Sequence, residues 1–182
     1  MSPSLDPQSP WLKAILDSTK DQIWSVDPET FGFLAWNRAC EQYYGDERGI
    51  PLRQGLVPAD LFPPGSEYVE LWNRLYRRAR DEGPFRETYT SYTHSTVLEL
   101  NFHRIEDAGQ LIGISVFGRN ISDQVRVERS LSESERWFRA LFDQSGDAMF
   151  LNGLDGRIHR VNAEACRRLG YSEQELTRKS VH

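Results

Sequence analysis

The feature that most constrains this chain is that it repeats itself. Ala14-Ile15-Leu16-Asp17-Ser18-Thr19-Lys20-Asp21 returns as Ala140-Leu141-Phe142-Asp143-Gln144-Ser145-Gly146-Asp147, with Ala, Asp and Asp in register and an apolar pair between them. Each copy then enters an apolar strand, Ile23-Trp24-Ser25-Val26 in the first and Met149-Phe150-Leu151 in the second. An Asn follows in each, Asn37 and Asn162, and a Gly stands eight residues on, at Gly45 and Gly170. Asn caps a helix by accepting an orphan amide proton, and Gly ends one by entering the left-handed conformation. The spacing therefore predicts a two-turn helix in each copy. Ser172-Glu173-Gln174-Glu175 reads as a capping box for one more short helix. The second copy has only the front of the pattern, so the sequence is expected to be a piece of a longer protein.

Nothing in the composition opposes a folded domain. Aromatics make up 12% of the 182 residues, five of them Trp, which is far from the make-up of a disordered chain. The formal charge of -5 gives no basic stripe of the kind a nucleic-acid binder shows. Arg77, Arg78 and Arg80 cluster, but Asp81 and Glu82 follow at once, as on a solvated helix face. The two cysteines, Cys40 and Cys166, belong to no CxxC pair, which points to a reducing, cytoplasmic setting. No stretch approaches the ~20 apolar residues of a membrane helix. Residues 1–10 read as a polar N-terminal segment without the apolar core of a signal peptide.

Within the first copy the elements are legible one by one. Ser9 and Pro10 open a helix carrying Trp11, Leu12, Ile15 and Leu16 on one face. Strands are expected over 22–27 and 31–36, joined by the turn Asp27-Pro28-Glu29-Thr30. Residues 52–64 are irregular, with one helical turn from Pro58. The main helix spans 66–81, with Tyr68, Leu71, Trp72, Leu75 and Tyr76 at helical spacing, and Gly83-Pro84 ends it. Strands follow over 85–93, 97–105 and 111–118. In the second of these Leu98, Leu100 and Phe102 alternate with Glu99, Asn101 and His103. In the third, Ile112, Ile114 and Val116 share a face. This order gives an α+β fold, a five-stranded antiparallel sheet with helices over one face, plus a helical linker.

From about Leu12 to Ile121 the chain resembles a PAS domain with its C-terminal PAC portion. The resemblance rests on Asp27, the segment from Asn37 to Gly45, and the strand Gly113-Ile114-Ser115-Val116-Phe117-Gly118. That strand leads into Arg119-Asn120-Ile121-Ser122, similar to the family's terminal Asp-Ile-Thr signature. Asn120 stands where the family has an acid that often makes a buried salt bridge, and Ser122 where it has Thr, still able to cap the next helix. From Trp137 to about Ser180 the chain resembles the start of a second PAS domain. The expected organisation is thus a polar segment 1–10, a PAS domain 11–121, a helical linker 122–136 and part of a second PAS domain 137–182.

The resemblance implies a sensory module of a signalling protein of the histidine-kinase type, whose output domain lies outside this chain. A ligand pocket in it would draw on Trp24, Trp36, Phe62, Trp72 and Phe102, with Asn101 and Ser115 as polar handles; the same aromatics also suit a plain core. No cofactor is expected. The flavin-binding members carry a reactive Cys in an Asn-Cys-Arg-Phe-Leu-Gln segment, which this chain lacks, and haem-binding members place a His near the main helix, which has none. His94 falls in a turn and His103 on a polar strand face. Cys40 reads as packing. No Gly-rich phosphate loop, GxSxG or HExxH is present, so no catalytic role is expected. His182 has no phosphoacceptor context.

In the linker, Val127, Leu131, Ser134, Phe138 and Leu141 recur at steps of four and three. That seam suits a parallel coiled coil in a homodimer, or an amphipathic helix lying on its own domain. Ser132 with Glu135 could start a new helix and break the linker. The expected partners are a second copy, a small-molecule ligand and the output domain of the same polypeptide. No nucleic acid and no membrane contact are expected. A ligand-free dimerisation module is the alternative.

Overall fold

A computed structural model describes residues 10–93 and 95–179 of the chain, so Ser9, His94, Ser180 and His182 lie outside the described residues. The chain forms two compact units, Met1–Asp123 and Gln124–His182. The first runs α1 (Pro10–Asp17), β1 (Gln22–Val26), β2 (Phe33–Trp36), α2 (Arg38–Gln42), α3 (Pro58–Leu61), α4 (Glu67–Glu82), β3 (Phe85–Thr90), β4 (Val97–Asp107) and β5 (Gln110–Asn120). The sheet is five-stranded and antiparallel throughout, in the order β2-β1-β5-β4-β3. The last strand in sequence is therefore the middle strand in space.

Strand alternation sets the inner face. Trp24, Val26, Leu98, Leu100, Phe102, Ile114 and Val116 are buried, and α4 lays Trp72, Leu75, Tyr76 and Ala79 over them. Ser66 caps α4 by accepting from Tyr68 N, and Gly83, at φ 96°, turns the chain out of it. Gly118 lets this layer close, because a Cβ there would stand 3.2 Å from Leu100 Cδ2 and 3.4 Å from Trp24 Cζ3. Ile112 departs from the expected inward row. It falls at the register shift of the β4–β5 pairing, where Ile105 faces Gly113 but Glu106 faces Leu111, and it is 47% exposed. The apolar side of α1 is also open, with Trp11 and Ile15 exposed.

The helix after Asn37 does not end at Gly45. It passes into a π-turn over Tyr43–Glu47, and Gly45 sits inside that turn. The left-handed residue is Gly49, at φ 65°. Tyr43 and Tyr44, at the start of that turn, are both buried. Strand β2 likewise starts later than expected, because Phe31 adopts φ 59° and folds its ring onto Tyr76.

The second unit holds most of α5 (Ser122–Gln144), then β6 (Phe150–Asn152), β7 (Ile158–Val161), α6 (Ala163–Leu169) and α7 (Glu173–Leu176). Helix α5 is unbroken at Ser132. Gly170 is left-handed at φ 70°, and Ser172 and Glu175 form the capping box, both as expected. A small core of Ile158, Val161, Ala165 and Leu176 is buried.

Each unit is held internally by one buried asparagine of its own. Asn37 Oδ1 accepts from Ile23 N at 3.0 Å and Cys40 N at 3.1 Å, while Nδ2 donates to Leu16 O and Asp21 O, each at 2.9 Å. Asn162 repeats this with Met149 N, Ala165 N, Phe142 O and Asp147 O, all within 2.9 Å. Two donors and two acceptor sites are the whole capacity of a carboxamide. Asn37→Ala leaves four backbone groups without that partner, and a buried unsatisfied group costs ~1–3 kcal/mol before water or relaxation relieves it. We expect Asn37→Ala to lower the unfolding free energy by about 3 kcal/mol, read by urea denaturation with tryptophan fluorescence. A loss below about 1 kcal/mol would mean that the cap alone matters.

Candidate functional site

Between α4 and the sheet lies a block of aromatic rings. Trp72 meets Trp24 at 5.8 Å and Tyr89 at 4.9 Å edge to face, and lies tilted to Phe102 at 6.4 Å. Phe85 stacks flat on its cross-strand partner Phe102 at 4.6 Å. Trp24 Nε1 donates to the Tyr76 hydroxyl at 3.0 Å, joining β1 to α4 through 52 residues of chain. Burial pushes the Tyr76 and Tyr89 phenols well above their usual range, so both stay neutral donors. The Trp72 indole N–H leans on Tyr89 and holds back part of that rise, but it meets no acceptor at hydrogen-bond geometry among the described residues. An indole N–H left so at 4% exposure marks where a polar atom would be welcome.

The seven residues singled out from the sequence do not form one site. Trp24, Trp72 and Phe102 are contiguous. Trp36 is the cross-strand partner of Trp24, half-buried, with its ring edge-on to Phe33. Phe62 stands apart, against Tyr68 and Tyr92. Asn101 and Ser115 belong to the opposite face of the sheet: strand alternation carries Leu100 and Phe102 inward and Asn101 outward, where its Oδ1 accepts from Arg86 Nε. Ser115 pairs with Ser25 and His103 on that same outer face. Tyr76 and Tyr89 complete the block. The helical row pointed to Tyr76, whereas the end of β3 gave no sign of Tyr89.

Cys40 is fully buried beside Asn37, and desolvation pushes its thiol far up. It is a packing residue with no thiolate to offer. Arg77, Arg78 and Arg80 each face carboxylates, Glu70, Glu82 and Asp81 among them. Among the described residues no three His, Cys, Asp or Glu side chains converge as a metal site would require, and no helix is long and apolar enough to cross a membrane.

The second feature of interest is the join between sheet and linker. β5 ends at Asn120 and α5 starts at Ser122. Ser122 Oγ accepts from Val97 N at 2.9 Å, Asn120 Oδ1 accepts from Ser122 N at 2.9 Å, and Ile121 N donates to Val97 O at 2.9 Å. On α5, Val127, Leu131 and Leu141 are exposed, as is Trp137, which the seam did not include. Phe138 stacks on the buried Phe142, and Arg160 lies over both rings. Tyr76→Phe keeps the volume of the aromatic block and strips Trp24 Nε1 of its acceptor. The expected loss is about 1–2 kcal/mol in thermal or urea unfolding; no loss would show that the Trp24–Tyr76 bond is made equally well by water.

Comparison with known proteins places this geometry. Residues 136–181 match the model of the PAS domain family. No curated protein matches the chain. Among solved structures, the PAS domain of BvgS from Bordetella pertussis is 18% identical and superposes with a TM-score of 0.50, covering 69% of this chain and 95% of that one. A PAS domain from Colwellia psychrerythraea is 16% identical, with 62% and 96% covered and a TM-score of 0.44. A domain named for a light and redox sensing histidine kinase of Haloarcula marismortui is 19% identical, with 63% and 100% covered and a TM-score of 0.41. The five-stranded antiparallel sheet, its strand order and its helical cover are the PAS fold.

Proposed function

We propose that the first unit is a sensory module that answers a small-molecule or other cue and passes the change through α5 to an output domain, of histidine-kinase type, outside this chain. The observation that carries this reading is the join at Val97, Ile121 and Ser122. β5 is hydrogen-bonded to strands on both sides, and α5 begins one residue after it ends. A shift of the inner face that tilts β5 therefore reaches the first turn of α5 without an intervening loop. The helix then has two arrangements to choose between, and the cue needs only a difference in affinity for them. The Trp72 N–H, which meets no acceptor at hydrogen-bond geometry among the described residues, is where a polar ligand atom would gain most.

The reading includes a homodimer through the α5 seam of Val127, Leu131, Phe138 and Leu141, and a cytoplasmic setting suited to two free cysteines. It includes no catalytic step, no flavin and no haem. The filled aromatic block favours a second reading, a dimerisation module that takes no ligand. A thermal-shift screen separates the two: a small molecule that raises the melting temperature with dose supports sensing, and a flat screen supports the second.

Leu131→Asp tests the seam. Burying a carboxylate where two apolar chains should meet removes a contact worth about 2–5 kcal/mol per site, twice in a two-fold dimer. Light scattering is expected to show the wild type as a dimer at tens of micromolar and the variant as a monomer, with unchanged circular dichroism. A variant that stays dimeric places the interface elsewhere, and a monomeric wild type removes the coiled coil from the account.

A further inference from the structure

Away from the aromatic block, the guanidinium of Arg48 sits inside a set of rings. Its carbon lies 4.6 Å from the Phe62 centroid, 5.2 Å from that of Tyr92 and 5.4 Å from that of Tyr44. The rings hold one another. Phe62 stacks on Tyr68 at 5.5 Å, and Tyr92 stands edge-on to both, at 5.7 and 5.2 Å. Tyr44 is buried and packs on Phe33 at 5.9 Å. The ring faces offer negative potential to whatever enters.

Arg48 is delivered by the π-turn of Tyr43–Glu47 and the left-handed Gly49, a local distortion of a type that often accompanies binding sites. Among the described residues the guanidinium makes one hydrogen bond, to Leu61 O, and no ion pair with a carboxylate. An open groove of about 450 Å³ runs beside it, lined by Ile50, Asp60, Pro63 and Thr93 with the ring edges. The long side chain thus has room to swing out, and a guanidinium moved to the surface recovers water on all its donors.

We propose that the Tyr44, Phe62 and Tyr92 rings form a binding site for an organic cation of the quaternary-ammonium class, and that Arg48 is its internal competitor. A guanidinium can leave for water at little cost, but a quaternary ammonium has no hydrogen bond to lose on entering. It needs ring faces within about 6 Å and no ring of oxygen ligands, which is what the cage supplies. Asp60, at the groove, adds an acidic approach that favours cations over anions. The cage can bind whether or not α5 responds.

The test uses the full chain with choline as probe, and 3,3-dimethylbutanol as its uncharged isostere. In the wild type, titration with choline is expected to move the ring resonances of Tyr44, Phe62 and Tyr92 and the Nε–H resonance of Arg48. By calorimetry Arg48→Ala should bind choline about ten-fold more tightly than the wild type and at least ten-fold more tightly than the isostere. Adding Phe62→Leu to Arg48→Ala should abolish binding. Arg48→Gln keeps the side-chain stem and a donor for Leu61 O, and carries the same expectation should Arg48→Ala fold poorly. The proposal is overturned if the wild-type resonances stay still at 100-fold the choline constant of the variant. It is also overturned if the folded variants bind choline no better than the wild type, which makes Arg48 a structural plug, or if the isostere binds equally, which makes the cage merely apolar.

Discussion

The structure depends on a single carboxamide in each unit. The Asn37 side chain reaches four backbone groups that belong to three separate segments: the end of α1, the entry to β1 and the first turn of α2. Apolar packing cannot set the order of those segments, because the hydrophobic effect has no direction. Four directed bonds can. They fix where β1 enters the sheet, and Trp24 and Val26 then face α4 by alternation alone. Asn162 does the same with the same atoms, although its unit has a much smaller core of Ile158, Val161, Ala165 and Leu176. The bond pattern is kept while the neighbours change from Leu16 to Phe142, from Ile23 to Met149 and from Cys40 to Ala165. Contacts made through backbone atoms tolerate that exchange.

Once β1 is placed, β5 is fixed between it and β4, and the proposed relay rests on that position. A middle strand has no edge to slip along, so its movement is coupled to both neighbours. Here it leads in one residue to a helix whose apolar side chains Val127, Leu131 and Leu141 face water. Asn120 and Ser122 serve this join through hydrogen bonds to backbone, with Asn120 accepting from Ser122 N and Ser122 from Val97 N. Both side chains are neutral, so these bonds bring no charge to compensate.

Much of this was legible in the residues. The repeat, the alternation of β4, the apolar row of α4 and the capping box at Ser172 are local signals, and local signals survive in sequence. Asn37 was readable as a cap, from its bond to Cys40 N. Its three other bonds were not, because their partners are backbone atoms that any residue could supply. Gly45 misled for a related reason. Spacing cannot tell a left-handed terminus at Gly45 from a π-turn that moves the terminus to Gly49, since both run through the same residues in the same order. The polar handles Asn101 and Ser115 failed on register, where one residue changes the face. Arg48 carried no sign at all. Its ring partners come from Tyr44, Phe62 and Tyr92, which only the fold brings together.

The central claim is that the sheet and α5 are joined through the Val97–Ser122 contact, and hydrogen–deuterium exchange of wild type and Ser122→Ala tests it most directly. The account predicts faster exchange in the variant at Val97 and through the first two turns of α5. Leu98–Phe102 and Ile114–Val116, deep in the sheet, should stay protected. If the first turns of α5 exchange at the wild-type rate, the helix is not held by the sheet at this point, and the proposed route from core to linker is wrong.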